Sequence, residues 1–123
     1  MTAARPEHDI IFPVDLEDFE QKVLQASHER PVLVDFWAAW CSPCLVIDPV
    51  LKSVVQDCGG RVLLAKVEVD EGENMKLAGR YQVRGFPTVI LFRDGQVVDR
   101  FSSARPRHFI EQFLERHCHI EAH

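Results

Sequence analysis

The run Trp40-Cys41-Ser42-Pro43-Cys44 divides two segments of different periodicity. Before it, Val32-Leu33-Val34-Asp35-Phe36-Trp37 is apolar at nearly every position, the pattern of a strand covered on both faces. After it, Val46, Ile47, Val50, Leu51, Val54 and Val55 recur at helical spacing. A buried strand feeding directly into a helix constrains the chain to layered α/β architecture. It also puts both cysteines where amide N–H groups point outward and the helix dipole is positive, which favours a thiolate over a thiol. Cys44 lies one helical turn beyond Cys41, within reach for a bridge or for resolving a mixed disulfide. The chemistry indicated is thiol–disulfide exchange.

Other uses of a cysteine pair fit less well. Structural zinc usually recruits two pairs, or a pair with closely spaced histidines. Here Cys58 and Cys118 are single and distant, and His117, His119 and His123 cluster at the C-terminus, so no metal site is expected. A permanent staple over so short a loop would remove little entropy from the unfolded chain. The net charge of -5 argues against nucleic acid as a main partner, and no apolar run is long enough to span a membrane. The stretch from Met1 to Asp9 lacks the basic start and apolar run of a secretory signal, so a cytoplasmic location is expected. In that compartment a Cys-x-x-Cys pair is more often catalytic than structural.

The 123 residues make a single domain. Asp9 to Phe12 is a short candidate strand. Asp15 is placed as an N-cap with Asp18 at the third position, opening a helix that ends before Pro31. The second helix spans about Cys41 to Asp57, kinked at Pro49 and closed by Gly59-Gly60. Arg61 to Val69 reads as a strand and Glu71 to Tyr81 as a short helix. Thr88 to Phe92 and Gln96 to Phe101 are strands joined by a turn containing Asp94-Gly95, a hairpin signal. Pro106 opens a last helix that buries Phe109, Ile110, Phe113 and Leu114. The order β-α-β-α-β-α-β-β-α gives a mixed sheet covered on both faces.

From about Ile10 to Arg116 the chain resembles the thioredoxin family. The resemblance rests on Val34-Asp35-Phe36-Trp37-Ala38, Trp40-Cys41-Ser42-Pro43-Cys44, Pro49, Ala65-Lys66, Asp70, Tyr81, Arg84-Gly85-Phe86-Pro87-Thr88 and Asp94-Gly95. It implies a thioredoxin fold, with a five-stranded sheet flanked by four helices, and reversible dithiol–disulfide chemistry on client proteins. It also implies recharging by an NADPH-dependent, flavin-containing reductase. No cofactor is expected on the chain itself, which has no glycine-rich phosphate fingerprint after a strand.

Cys41, nearer the helix start, is the expected nucleophile, more exposed and more easily ionised than Cys44. Cys44 is the expected resolving thiol, and Pro43 fits the first helical turn. An aspartate in mid-strand is costly unless paired or used, and burial would raise its pKa. Asp35 is therefore the candidate proton acceptor for Cys44, a role the resemblance also implies, with Lys66 matching the family's nearby lysine. A purely structural Asp–Lys pair is the alternative. Trp40 is expected to shield the site and Trp37 to pack in the core. By resemblance the Phe86–Pro87 bond is cis and packs opposite the cysteines. The Phe86 backbone would pair with an extended substrate, and Gly85 would permit close approach.

Several positions depart from the family pattern. Ser42 stands where glycine is commonest, Leu45 where lysine is frequent, and Ser102 replaces a usual glycine in the substrate-facing loop. Asp48, four residues after Cys44, is placed on the inward face near Asp35 and Lys66, where it would raise the coupled carboxylate pKa and hold Lys66 charged. The competing placement is in solvent beside Pro49. Cys58 and Cys118 are expected to be free thiols, and the C-terminal histidines a frayed helix end. The expected function is a monomeric reductase of client disulfides. The alternatives are a binding or chaperone module using Trp40, Leu45, Phe86 and Pro87, and an oxidase or isomerase of the same fold.

Overall fold

The structure, a computed structural model, describes residues 10–118. Asp9 of the first expected strand, the rest of the stretch 1–9, and His119 and His123 lie outside them. Five strands form one sheet: β1 (Ile11–Pro13), β2 (Val32–Trp37), β3 (Leu63–Glu68), β4 (Thr88–Arg93) and β5 (Gln96–Ser102), in the spatial order β1-β3-β2-β4-β5. β3 runs parallel to β1 and β2, whereas β4 is antiparallel to β2 and β5. The mixed α/β sheet matches the order expected from the strand and helix patterns.

β2 is the central strand, and Val32 through Phe36 are all buried. That explains its lack of alternation: both faces meet apolar layers. β4 and β5 are joined through Asp94 and Gly95, with Arg93 opposite Gln96. Both turn residues have positive φ, 54° and 77°, as a two-residue hairpin with right-twisted strands requires.

The helices are α1 (Ser42–Asp57), α2 (Asn74–Arg80) and α3 (Arg107–Cys118), with a further helical segment between β1 and β2. α1 packs against α3, and α2 contacts the start of the N-terminal helical segment. α1 continues through Pro49 to Asp57 and ends where Gly59 and Gly60 take positive φ.

The N-terminal helical segment is not the regular helix its pattern suggests. It winds as a 3-10 turn (Leu16–Asp18), a π segment (Glu20–Gln25) and a second 3-10 turn (Ala26–His28). It buries Phe19, Val23 and Ser27, each four residues apart. On a regular α-helix that spacing drifts about 40° per step. Wider winding in the middle reduces the drift and keeps the three on one face. At its start, Asp18 accepts a hydrogen bond from the Asp15 N–H at 2.8 Å. At its end, Ser27 Oγ accepts from Gly95 N–H at 2.8 Å and donates to Leu24 O at 2.7 Å, fixing the hairpin turn to the segment.

The C-terminal helix end is better anchored than expected. Cys118 is buried, and His117 stacks edge-on with Phe113 and lies 2.7 Å from Asp99. A partner on β5 keeps the last described turn in place.

Candidate functional site

β2 ends at Trp37, and the chain turns through Ala38 to Cys41, which is the N-cap of α1. Ser42 and Pro43 occupy the first two helical positions, where a proline forfeits no intrahelical hydrogen bond. The Cys41 Sγ accepts the Cys44 backbone N–H at 3.2 Å. A sulfur has thus replaced the oxygen that usually caps a helix. The same N–H and the helix dipole would stabilise negative charge on that sulfur after reduction. The structure holds the bridged form, Cys41–Cys44, with Cα atoms 5.3 Å apart.

The exposure difference between the cysteines is smaller than expected. Cys41 is 5% exposed and Cys44 1%, so both sit below the surface. Around them the surface is apolar: Trp40 is 67% exposed, and Leu45 and Val46 are exposed on the first turn of α1. Trp40 is nonetheless held, its indole N–H donating to Asp70 at 2.7 Å and its ring meeting Phe86 edge-on at 5.9 Å. Trp37 is half-buried and joins the core, as expected, with the Lys66 ammonium 5.0 Å over its ring.

The Phe86–Pro87 peptide bond is cis. Thr88 opens β4 opposite Phe36, so this loop lies beside the end of β2 that leads to the cysteines. Thr88 also pairs with Ser102 of β5, and Ser103 N–H donates to the Pro87 carbonyl at 3.1 Å. Ser103 takes a positive φ of 76°, a conformation unfavourable for a residue with a Cβ. This serine, missed by sequence reasoning, ties the β5–α3 loop to the proline loop. No pattern signals it, because its partner is a backbone carbonyl sixteen residues away. At Gly85 an added Cβ would meet nothing within 4 Å, so the fold itself makes no steric demand for glycine there.

Beneath the dithiol loop lies a cluster of charges. Asp35 is fully buried, with Oδ2 2.8 Å from Lys66 Nζ and Oδ1 without a hydrogen-bond partner among the described residues. Burial pushes the Asp35 carboxyl above its ordinary value; Lys66 opposes this and Asp48 adds to it. Asp48 reaches in from α1 to bond the Lys66 ammonium, and its other oxygen lies 3.1 Å from Lys52. The inward placement of Asp48 is the one observed. Burial alone would lower the Lys66 pKa, but the two carboxylates outweigh it and raise the value. Burial likewise disfavours ionised Asp48, and Lys66 and Lys52 overcome that, holding it below the usual carboxylate value.

Cys58 and Cys118 are free and buried. Burial raises both thiols, Cys118 to about 11. No group of three or more His, Cys, Asp or Glu side chains placed to hold a metal occurs among the described residues. No helix among them is long and apolar enough to cross a membrane.

Comparison with known proteins agrees with this geometry. The thioredoxin family model matches residues 10–116. A thioredoxin of Chlorobaculum thiosulfatiphilum is 37% identical over 101 residues, covering 82% of this chain and 90% of its own. Thioredoxin 1 of a Nostoc species is 41% identical over 99 residues, covering 80% and 89%. A thioredoxin of Staphylococcus aureus is 40% identical over 100 residues, covering 81% and 90%. The chain belongs to the thioredoxin family and is a protein-disulfide oxidoreductase that acts through the Cys41–Cys44 pair.

Proposed function

We propose that this chain works as a single-domain, monomeric reductase of client disulfides, with Cys41 as nucleophile and Cys44 as resolving thiol. The Cys41 thiolate attacks one sulfur of a client disulfide. A Cys41–client bond forms, the client S–S bond breaks, and the departing thiolate takes a proton. Cys44 then loses its proton and attacks Cys41, releasing the second client thiolate. Two electrons pass to the client, and the chain is left in the bridged form that the structure holds. The observation that carries this assignment is the helix-capping sulfur of Cys41, bonded by the Cys44 N–H.

In this sequence Asp35 takes the proton from Cys44. Its fitness for the role rests on burial, a raised pKa and a carboxylate oxygen without a hydrogen-bond partner among the described residues. Lys66 positions that carboxylate through their 2.8 Å contact. Client segments would lie across Trp40, Ser42 and Pro43 and pair with the Phe86 backbone beside Gly85, Pro87 and Ser102. Exposed backbone at Gly85 and the exposed apolar surface at Trp40 support that path.

Recharging falls to an NADPH-dependent thioredoxin reductase, the partnership general to the family. The cytoplasm is the proposed setting because a reductase must be held in its dithiol form, which a reducing compartment maintains.

Insulin reduction driven by dithiothreitol or by thioredoxin reductase tests the reading, in wild type and Cys41→Ser. Turnover in the wild type and its loss in the variant are expected. An inactive wild type would favour a binding module, and a strongly oxidising potential would favour an oxidase.

A further inference from the structure

A cleft of about 480 Å³ adjoins the proline loop, lined in part by Arg84, Gly85, Arg100, Ser102, Arg105 and Phe109. Its charge runs against that of the whole chain, which is net -5. Three arginines face it, and no Asp or Glu among the described residues lines it. Several cations elsewhere are neutralised: Lys66 by Asp35 and Asp48, Arg107 by Asp57 and Glu111, Lys22 by Asp18. Neither Arg84 nor Arg100 has a carboxylate partner among the described residues.

The arginines come from three segments. Arg84 precedes Gly85 in the proline loop. Arg100 and Ser102, two apart on β5, share one face of the strand. Arg105 is held in place, its Nε donating to Ser102 O at 3.1 Å and its guanidinium lying 4.9 Å over the Phe109 ring. Its terminal nitrogens remain available as paired donors for a carboxylate. An aromatic floor beneath a fixed guanidinium suits a side chain with an aliphatic stem and an acidic head.

We infer that the cleft selects clients: an acidic segment flanking the client disulfide docks there, its Glu or Asp carboxylates meeting Arg84, Arg100 and Arg105. The inference rests on the proposed reductase function and names its substrate class. A client strand aligned on the Phe86 backbone would run past Gly85, which shares a wall with the cleft. Peptide rather than a small free anion is the occupant, because the cleft continues the surface along which an extended segment would lie.

The experiment compares peptide disulfides that differ only in two flanking residues, both Glu, both Gln or both Lys. kcat/KM is measured for the wild type and for R100E/R105E, at low and high salt. In the wild type the Glu peptide should be preferred over the Lys peptide roughly tenfold at low salt, from several exposed ion pairs acting together. The preference should shrink at high salt and be lost or reversed in the double variant. The overall negative charge would favour the Lys peptide, so an acidic preference cannot come from the net field. Equal rates, or a Lys preference, in the wild type overturn the inference while leaving the reductase function standing. Should the double variant misfold, the wild-type peptide and salt series decides alone. An acidic preference that persists in a folded double variant removes the assignment to this cleft. No turnover of any peptide overturns both readings.

Discussion

Asp48 on α1 bonds the ammonium of Lys66 on β3, which also holds Asp35 on β2, so one cation joins the helix carrying the dithiol to the two strands beneath it. The arrangement makes Asp35 sensitive to a residue it does not touch directly. Its ionisation responds to Asp48 both through space and through the competition for Lys66.

Replacing Asp48 with alanine should therefore lower the Asp35 pKa, since one opposing negative charge is gone and Lys66 serves Asp35 alone. Carboxyl chemical shifts of Asp35 followed through a pH titration measure this in both proteins. An unchanged titration would refute the coupling. The acid limb of the resolving step, which rises as Asp35 loses its proton, should move in the same direction.

Asp35→Asn should stabilise the folded protein at neutral pH and slow release of the client. In the folded chain Asp35 keeps its proton above the pH at which the unfolded chain, near 3.8, has lost it. Its favourable contribution is thus present below 3.8 and disappears as pH rises through the folded value. Above that window the buried charge is a burden, and removing it should gain on the order of 1–3 kcal/mol. Urea unfolding at neutral and acidic pH reads the effect; the gain should narrow in acid. Asp48 has the opposite sign, with a depressed value whose contribution is lost as pH falls through it.

Asp70→Ala should free the Trp40 indole N–H from its 2.7 Å hydrogen bond. Trp40 would sample more rotamers over the dithiol, and client KM should rise about three- to tenfold, in line with the loss of one positioned contact. Insulin reduction kinetics together with indole fluorescence anisotropy would show it. Unaltered KM with more mobile indole would mean that Trp40 only shields the site.

In the fully reduced protein, one thiol should react rapidly with a chromogenic disulfide near neutral pH, and that thiol should be Cys41. Cys58 and Cys118 are buried with raised pKa values, and should react only after denaturation. Mass mapping of the labelled cysteines gives the order directly. Rapid labelling of Cys118 in the native state would contradict its burial.

Asn74→Ala should cost about 2–4 kcal/mol, because three hydrogen bonds converge on one buried amide. The Asn74 side chain accepts from Leu16 N–H and donates to Asp15 and to the Glu68 carbonyl, joining the N-terminal helical segment, the end of β3 and α2. Thermal unfolding measures the loss.

The legibility of these features follows from the range of the forces that create them. β2, the Asp94-Gly95 turn and the Cys41 cap are written in consecutive residues, through burial, backbone sterics and dipole position. Asp35 was readable because a charge in a buried strand must be paired or used, whereas Lys66 as its partner came from the family resemblance. Asn74 was not readable, since an asparagine near a helix start normally caps in solvent, and its three partners come from other segments. The wider winding of Glu20–Gln25 was hidden because the apolar spacing also suits an ordinary helix at short length. The arginine cleft escaped notice for a related reason: β4–β5 pairing, rather than proximity in sequence, brings Arg84 near Arg100 and Arg105.

Because β2 is the middle strand of five and is hydrogen-bonded along both sides, the reactive loop hangs from an interior strand of the sheet. The dithiol loop is thus anchored at its base by pairing on two sides, so the sulfur chemistry at its tip is carried on a braced support.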